Sequence, residues 1–391
     1  MRQSLLRVRD GQGATVSFSE LLFDLIYVFA VTQLSHYLLH HLTLVGALQT
    51  LLLWFAVWLA WQYTAWVTNW FDPETRQIRL LLFAIMVLGL FASSVLPEAF
   101  GERGLVFALF YIAMQVGRAA VTLFWLPNNH LLQRNFQRIL GWMVISAVFW
   151  LIGGLVEGNA RMVWWAIAIA CTYISPMIGF WLPVLGRSNT ASEWTIEGHH
   201  LAERSQLFVI VALGETILIT GATLSELESW NAPVIIASLV AFLGSLAMWW
   251  VYFDTSSKAG SHAIQQSENP GQMGACYHYV HVVLVGAIIV CAVANELVIV
   301  HPDGHMDASA IAVLLLGPAA YLAANGIYKT MVYRRFPLSH IAGLVALLAL
   351  LPVCFITDRL MINGLTTVVM IAVAGWESVS RGKGVARRRL S

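Results

Sequence analysis

Twelve apolar runs, each about 20 residues long and parted by short polar connections, leave this chain few ways to fold. They fall at roughly 18–40, 44–70, 79–97, 104–126, 138–156, 162–184, 202–221, 232–253, 277–297, 308–329, 337–356 and 360–378. A helix of that length crosses a hydrocarbon core of about 30 Å. In lipid only helices and closed barrels satisfy their own backbone polar groups, and unbroken runs this long suit helices. The expected fold is all-α, a polytopic membrane protein of about twelve transmembrane helices. Charged residues make up 11% of the chain, about half of a soluble domain's share. The 16 tryptophans suit anchors at two membrane interfaces.

Basic residues sort the connections into two sets. Eighteen of the 22 lysines and arginines fall on one side, among them Arg7, Arg9, Arg76, Arg79, Arg204, Lys329 and the polybasic tail Arg387 to Arg389. The opposite side holds Arg103, Arg161 and Arg359, and Arg118 lies within a run. By the positive-inside rule both termini are expected in the cytosol. The stretch "MRQSLLRVRDGQGATVS" lacks the apolar core of a cleavable signal, so none is expected to be removed. A net charge of +1 gives no field that would recruit nucleic acid. Cys171, Cys276, Cys291 and Cys354 lie far apart without ligand spacing and read as buried free thiols. No metal or cofactor motif is present, and no connection is long enough for a soluble catalytic domain.

The two halves echo each other. Glu20 opens the first run and Trp70-Phe71-Asp72 closes the second, while Glu203 opens the seventh and Tyr252-Phe253-Asp254 closes the eighth. The Glu-to-Asp spacings are 52 and 51 positions. Six runs per half give both halves one orientation, which predicts two parallel six-helix repeats, 18–186 and 202–378. A linker at 187–201 would join them, with segments 1–17 and 379–391 at the ends.

Charge inside an apolar run is costly and therefore informative. Glu20 and Asp24 are one helical turn apart on one face. With Asp72, Glu203 and Asp254 they outline an acidic mouth for a proton, a cation or a cationic solute. The competing account is helix-dipole stabilisation of the glutamates and pairing of the aspartates with Arg76, Arg79 or Arg204. Glu215 lies 12 residues beyond Glu203, about 18 Å along the helix, where a carboxylate is either a titrating group or a structural hydrogen-bond partner. Arg118 is expected to pair with Glu215 or Asp24. His200 lies one turn before Glu203 and close to the acidic mouth, and His278 and His281 should share a helix face. His36, His40 and His41 complete no metal motif. The tryptophans Trp54, Trp58, Trp61, Trp66 and Trp70 read as a packing or lipid-facing stripe.

Two of these stretches, "FSELLFDLIYVFAVTQLSHYL" and "GHHLAERSQLFVIVALGETIL", resemble the low temperature requirement A family of bacterial membrane proteins. The resemblance extends over nearly the whole chain and implies a multi-pass protein of a bacterial inner membrane associated with growth in the cold. A looser likeness, at "FSE", is to potassium channels whose first helix carries Arg-x-x-x-Phe-Ser-Asp. Here Glu20 replaces the Asp and Ala14 stands in place of the Arg.

The leading expectation is a transport protein that moves a small solute or cation, coupled to protons, along a path lined by the six carboxylates, with His200, Arg204 and Arg118 modulating charge. The competing class is a lipid-modifying enzyme using His199, His200 and Glu203 at the headgroup level. The sequence is also compatible with a potassium-channel-like conduit and with a scaffold that binds another membrane protein. Expected partners are the lipid bilayer, the transported solute and a second copy of the chain.

Overall fold

The computed structural model describes residues 5–9, 14–126, 130–189, 193–194, 196–254, 264, 267 and 269–389. Among them the chain is all-α, with twelve α-helices and no strand beyond two isolated bridges. The helices are α1 Phe18–His40, α2 Leu44–Trp70, α3 Arg76–Ser94, α4 Gly104–Trp125, α5 Leu131–Leu155 and α6 Gly158–Met177. They continue as α7 Gly198–Glu226, α8 Ala232–Phe253, α9 Pro270–Val300, α10 Ala308–Tyr333, α11 Leu338–Ala349 and α12 Arg359–Arg389. Eleven are long and apolar enough to cross a membrane, α11 with the short 3-10 turn that follows it. The exception is α6, whose Asn159, Arg161, Ser175 and Pro176 hold its hydropathy down. It ends at Met177 because Pro176 is followed by Gly179 and Phe180 in left-handed conformations, so the sixth run stops short of residue 184. The final helix instead runs past the end of the last apolar run into the basic tail.

The side chains are arranged for lipid. On α8, Ala237, Ser238, Ala241 and Ser245 are buried, while Ile235, Ile236, Leu239, Phe242, Leu243 and Leu246 are exposed. In water that pattern is inside out. In a bilayer the small residues let backbones approach and the large apolar ones meet acyl chains. Together with the eleven long apolar helices, it makes this a multi-pass membrane protein.

Two compact units divide the chain, residues 1–205 with 264–278 and residues 206–263 with 279–391. In the first, α2 is the centre. It packs on α1, α4 and α6, and around it α1 meets α3, α3 meets α4, α4 meets α5 and α5 meets α6. Nearly every residue from Leu52 to Phe71 is buried, as befits a helix that is apolar on all sides. All five tryptophans of the stripe are at most 5% exposed, which rules out the lipid-facing reading and leaves packing. Cys276 also departs from expectation, being exposed where Cys291 and Cys354 are buried.

In the second unit α8 packs on α10 and α12, α10 on α11, and α11 on α12. These are the pairings of α2, α4, α5 and α6 moved on by six helices. Side-chain anchors recur with them. In α4, Tyr111 and Arg118 donate to the carbonyls of Ala56 and Ala60 in α2, at 3.2 and 3.3 Å. In α10, Tyr321 and Lys329 donate to the carbonyls of Met248 and Val251 in α8, at 2.6 and 3.0 Å. Arg161, near the start of α6, reaches Ala99 O before α4 at 2.9 Å, and Arg359, at the start of α12, reaches His305 O before α10 at 3.0 Å. Gly104 and Gly304 lie against these two guanidinium groups, where a Cβ would stand 2.4 and 2.9 Å from the arginine Cζ.

Helix starts follow the capping rules. Asp307 caps α10 by accepting from Ala310 N at 2.7 Å, a bond that holds its carboxyl below the usual range. Asp307→Ala is expected to cost about 1 kcal/mol, read as a lowered thermal midpoint. Because the folded-state pKa is depressed, the wild-type advantage is full above about pH 3.9 and fades as pH falls through the lowered value.

Candidate functional site

The sequence Ser17-Phe18-Ser19-Glu20 forms a capping box at the start of α1, with Ser17 N donating to Glu20 Oε2 at 2.9 Å and Glu20 N to Ser17 Oγ at 3.3 Å. This fixes Glu20, fully buried, with its other oxygen 2.8 Å from His200 Nε2. Arg7 Nη2 donates to Oε2 at 3.3 Å. One turn further, Asp24 accepts two bonds from Arg204, Nη2 to Oδ1 at 2.8 Å and Nη1 to Oδ2 at 2.9 Å. Trp61 Nε1 also donates to Oδ1 at 2.8 Å. The Arg204 guanidinium, with no exposed surface, lies over Phe23 and Trp61 and donates to Glu20 O at 3.0 Å.

The match is one of spacing. Glu20 and Asp24 stand at i and i+4 on α1, and His200 and Arg204 at i and i+4 on α7, so each carboxylate meets one basic group. The carboxylates of the first unit therefore do not form an open acidic ring. Arg204 accompanies Asp24 rather than Asp72 or Asp254. Two-point contact and a third donor compensate the desolvation that a buried pair incurs.

The proton on His200 is located by its neighbours. Glu197 N donates to Asn69 Oδ1 at 2.9 Å, which orients the amide so that Nδ2 faces His200 Nδ1 at 3.1 Å. Nδ1 is thus an acceptor, the neutral ring carries its hydrogen on Nε2, and that hydrogen points at Glu20. Arg7 Nη2 lies 3.1 Å from the same Nε2, so two donors converge on one carboxylate. Arg7 itself is held by a short two-stranded contact before α1, with Arg7 N donating to Trp70 O at 2.9 Å and Asp72 N to Leu5 O at 2.8 Å.

Beside this cluster opens a polar cleft of about 550 Å³, lined by Arg7, Asn69, Asp72, Glu74 and Glu197 among others. Arg7 and Asn69 belong to both cleft and cluster. Asp72 stays at the rim, where its Oδ1 accepts from Glu74 N at 2.9 Å. Glu203 is outside the cluster and a third exposed, accepting from Val16 N at 3.1 Å. His199 is 3.9 Å from Glu203 on that exposed face while His200 turns inward, so the acid/base trio of the enzyme reading does not converge.

Other candidates go elsewhere. Arg118 is buried, but donates to Ala60 O and Thr64 Oγ1 and lies over the Tyr63 ring, and no salt bridge joins it to a carboxylate among the described residues. The expected pairing with Asp24 fails because Arg204 holds that group. His278 packs among Trp58, Trp61 and Trp66 in the first unit. His281 meets the Tyr252 hydroxyl at 2.7 Å and the Tyr328 ring in the second. Glu215 is buried in α7 of the second unit, next to Thr216, whose Oγ1 meets Ser245 Oγ at 2.7 Å. Asp254 accepts from Ser378 Oγ at 3.0 Å. Arg7, Asn69 and Trp61 carried no motif in the sequence. The matching four-residue steps on α1 and α7 were the signal for the pairing with His200 and Arg204.

The model of the family described as "Bacterial low temperature requirement A protein (LtrA)" matches residues 15–375. An uncharacterized protein of Rhizobium meliloti (strain 1021) is 37% identical over 378 residues, covering 96% of this chain and 92% of its own length. No solved structure matches. The family match begins just before the capping box of Glu20 and takes in both α1 and the start of α7, so the helices that carry the buried charge cluster belong to what is shared. The chain is a member of the bacterial low temperature requirement A family.

Proposed function

We propose that the protein is a proton-coupled transporter of a bacterial inner membrane, with both termini in the cytosol and Glu20 as the proton-exchanging carboxylate. The observation that carries this reading is the contact between a buried carboxylate–imidazole pair inside an apolar helix bundle and a polar cleft open beside it. Ionisable groups buried in an apolar membrane bundle are expensive and tend to serve ion or proton pathways. The side of the cleft follows from the excess of basic connections.

Glu20 is held as a carboxylate by Arg7 and His200. A proton arriving from the cleft competes with Arg7 for Oε2. Once Glu20 is neutral, the attraction on Arg7 is lost and the segment 5–9 is freed to move off the cluster. Asp24 and Arg204 stay paired and keep the floor of the site neutral, which disfavours a bare cation conduit there. Movement of Arg7 is the step that couples the proton to a small solute or cation in the cleft. The recurrence of helix pairings and anchors six helices on favours an origin by duplication, with the charge cluster kept in one half.

The test uses purified protein in liposomes under an imposed pH gradient. Glu20→Gln is expected to cut proton flux at least tenfold while leaving the thermal midpoint close to wild type, and Arg7→Ala to raise it. Equal flux in wild type and Glu20→Gln would sink this reading.

A further inference from the structure

The first unit holds a second cavity, away from Glu20, of about 30 Å³. Its walls include the aromatic rings of Trp66, Trp70, Phe136 and Trp194, and into this apolar setting come Arg118 and Gln62. Arg118 is 2% exposed and its Nη2 has no hydrogen-bond partner. Trp66 Nε1 and Gln62 Oε1 are likewise buried without partners. A guanidinium stays charged at any accessible pH. The groups that do bond Arg118, a carbonyl and a hydroxyl, carry no net charge to balance it.

The second unit indicates what balances the equivalent cation. Lys329 holds the place in α10 that Arg118 holds in α4, donating to a carbonyl of the unit's second helix two turns after an anchoring tyrosine. Lys329 also meets the carboxylate of Glu377, in α12. Aligning Arg359 with Arg161, Glu377 falls opposite Gly179, which offers no carboxylate, and Pro176 and Phe180 on either side of that glycine line the cavity beside Arg118.

We propose that this cavity binds a small monovalent anion of chloride's size, which supplies in the first unit the negative charge that Glu377 supplies in the second. The volume exceeds the roughly 10–15 Å³ that one water-sized probe needs, and so admits a halide. Arg118 Nη2 and the Trp66 indole N–H are its donors. The Gln62 amide presents its NH₂ by a half-turn, since the assignment of its O and N rests on neighbours alone. This assignment is independent of proton transport through Glu20.

The full chain, purified in detergent and sodium gluconate, is titrated with sodium chloride at constant ionic strength while thermal unfolding is followed by intrinsic fluorescence. Wild type is expected to show a saturable rise in midpoint with chloride, and Arg118→Gln to show none. Should Arg118→Gln fail to fold, Trp66→Phe keeps the ring and removes the N–H, and is expected to weaken chloride about tenfold, the order expected for one hydrogen bond to a charged group. Identical curves in chloride and gluconate, or a wild-type chloride response in Trp66→Phe and Arg118→Gln alike, would overturn the proposal.

Discussion

Asp24→Ala is expected to destabilise the protein by about 3–5 kcal/mol, among the largest effects of any single replacement in the first unit. Arg204 has no exposed surface and makes both its charged contacts to this one side chain. Removing the carboxylate leaves a guanidinium buried between Phe23 and Trp61 with no anion, and leaves the Trp61 N–H without its acceptor. Removing both charges has a different result, because an apolar pair of similar volume avoids the desolvation cost. Asp24→Leu with Arg204→Met should therefore recover most of the lost stability. Thermal midpoints of the detergent-purified single and double variants decide it. A single variant within about 1 kcal/mol of wild type would mean that water reaches the pair.

Glu377→Ala in the second unit is expected to cost about 3 kcal/mol or more, since it strands the Lys329 ammonium. Ser339 Oγ donates to the same carboxylate at 3.1 Å, and His340 Nδ1 stands 3.3 Å from it, so three groups lose their common partner. Lys329→Met on that background should restore stability. The corresponding cation of the first unit is expected to behave differently. Arg118→Met removes a charge that no carboxylate among the described residues balances by a salt bridge, and should change the midpoint little in gluconate but lower it relative to wild type in chloride. Midpoints of the four proteins in the two salts test the contrast directly. A large loss for Arg118→Met in gluconate would mean that its neutral contacts suffice to hold it.

The apolar runs made the helices legible in the sequence, and two motifs made the family legible. The spacing of Asp24 from Glu20 was legible as well. The partners were not, because a contact between residues 180 positions apart leaves no local pattern. Arg204 counted among the basic residues of the connections, yet it is buried against α1. Arg7 lies in a polar stretch before the first helix, with nothing in its neighbours to say that it returns to Trp70. Arg118 was paired on sign alone, and Asp24 was already taken. The tryptophans of α2 left packing and lipid-facing roles both open, because aromatic spacing is the same whether a helix faces lipid or its neighbours.

Synthesis runs in one direction, and the charge cluster is divided across it. The α1 carboxylates leave the ribosome 180 residues ahead of the groups on α7 that balance them. At about 5–20 residues per second the interval is roughly 10–40 s. During that time the first span of the newborn chain carries two acidic groups, each costing about 2.5–3.5 kcal/mol at the centre of a bilayer and less near its edge. Of the basic partners of these carboxylates, Arg7 is the one already made. A helix in that condition has reason to wait at the insertion machinery, or to enter the membrane with its carboxyl groups protonated, until α7 arrives.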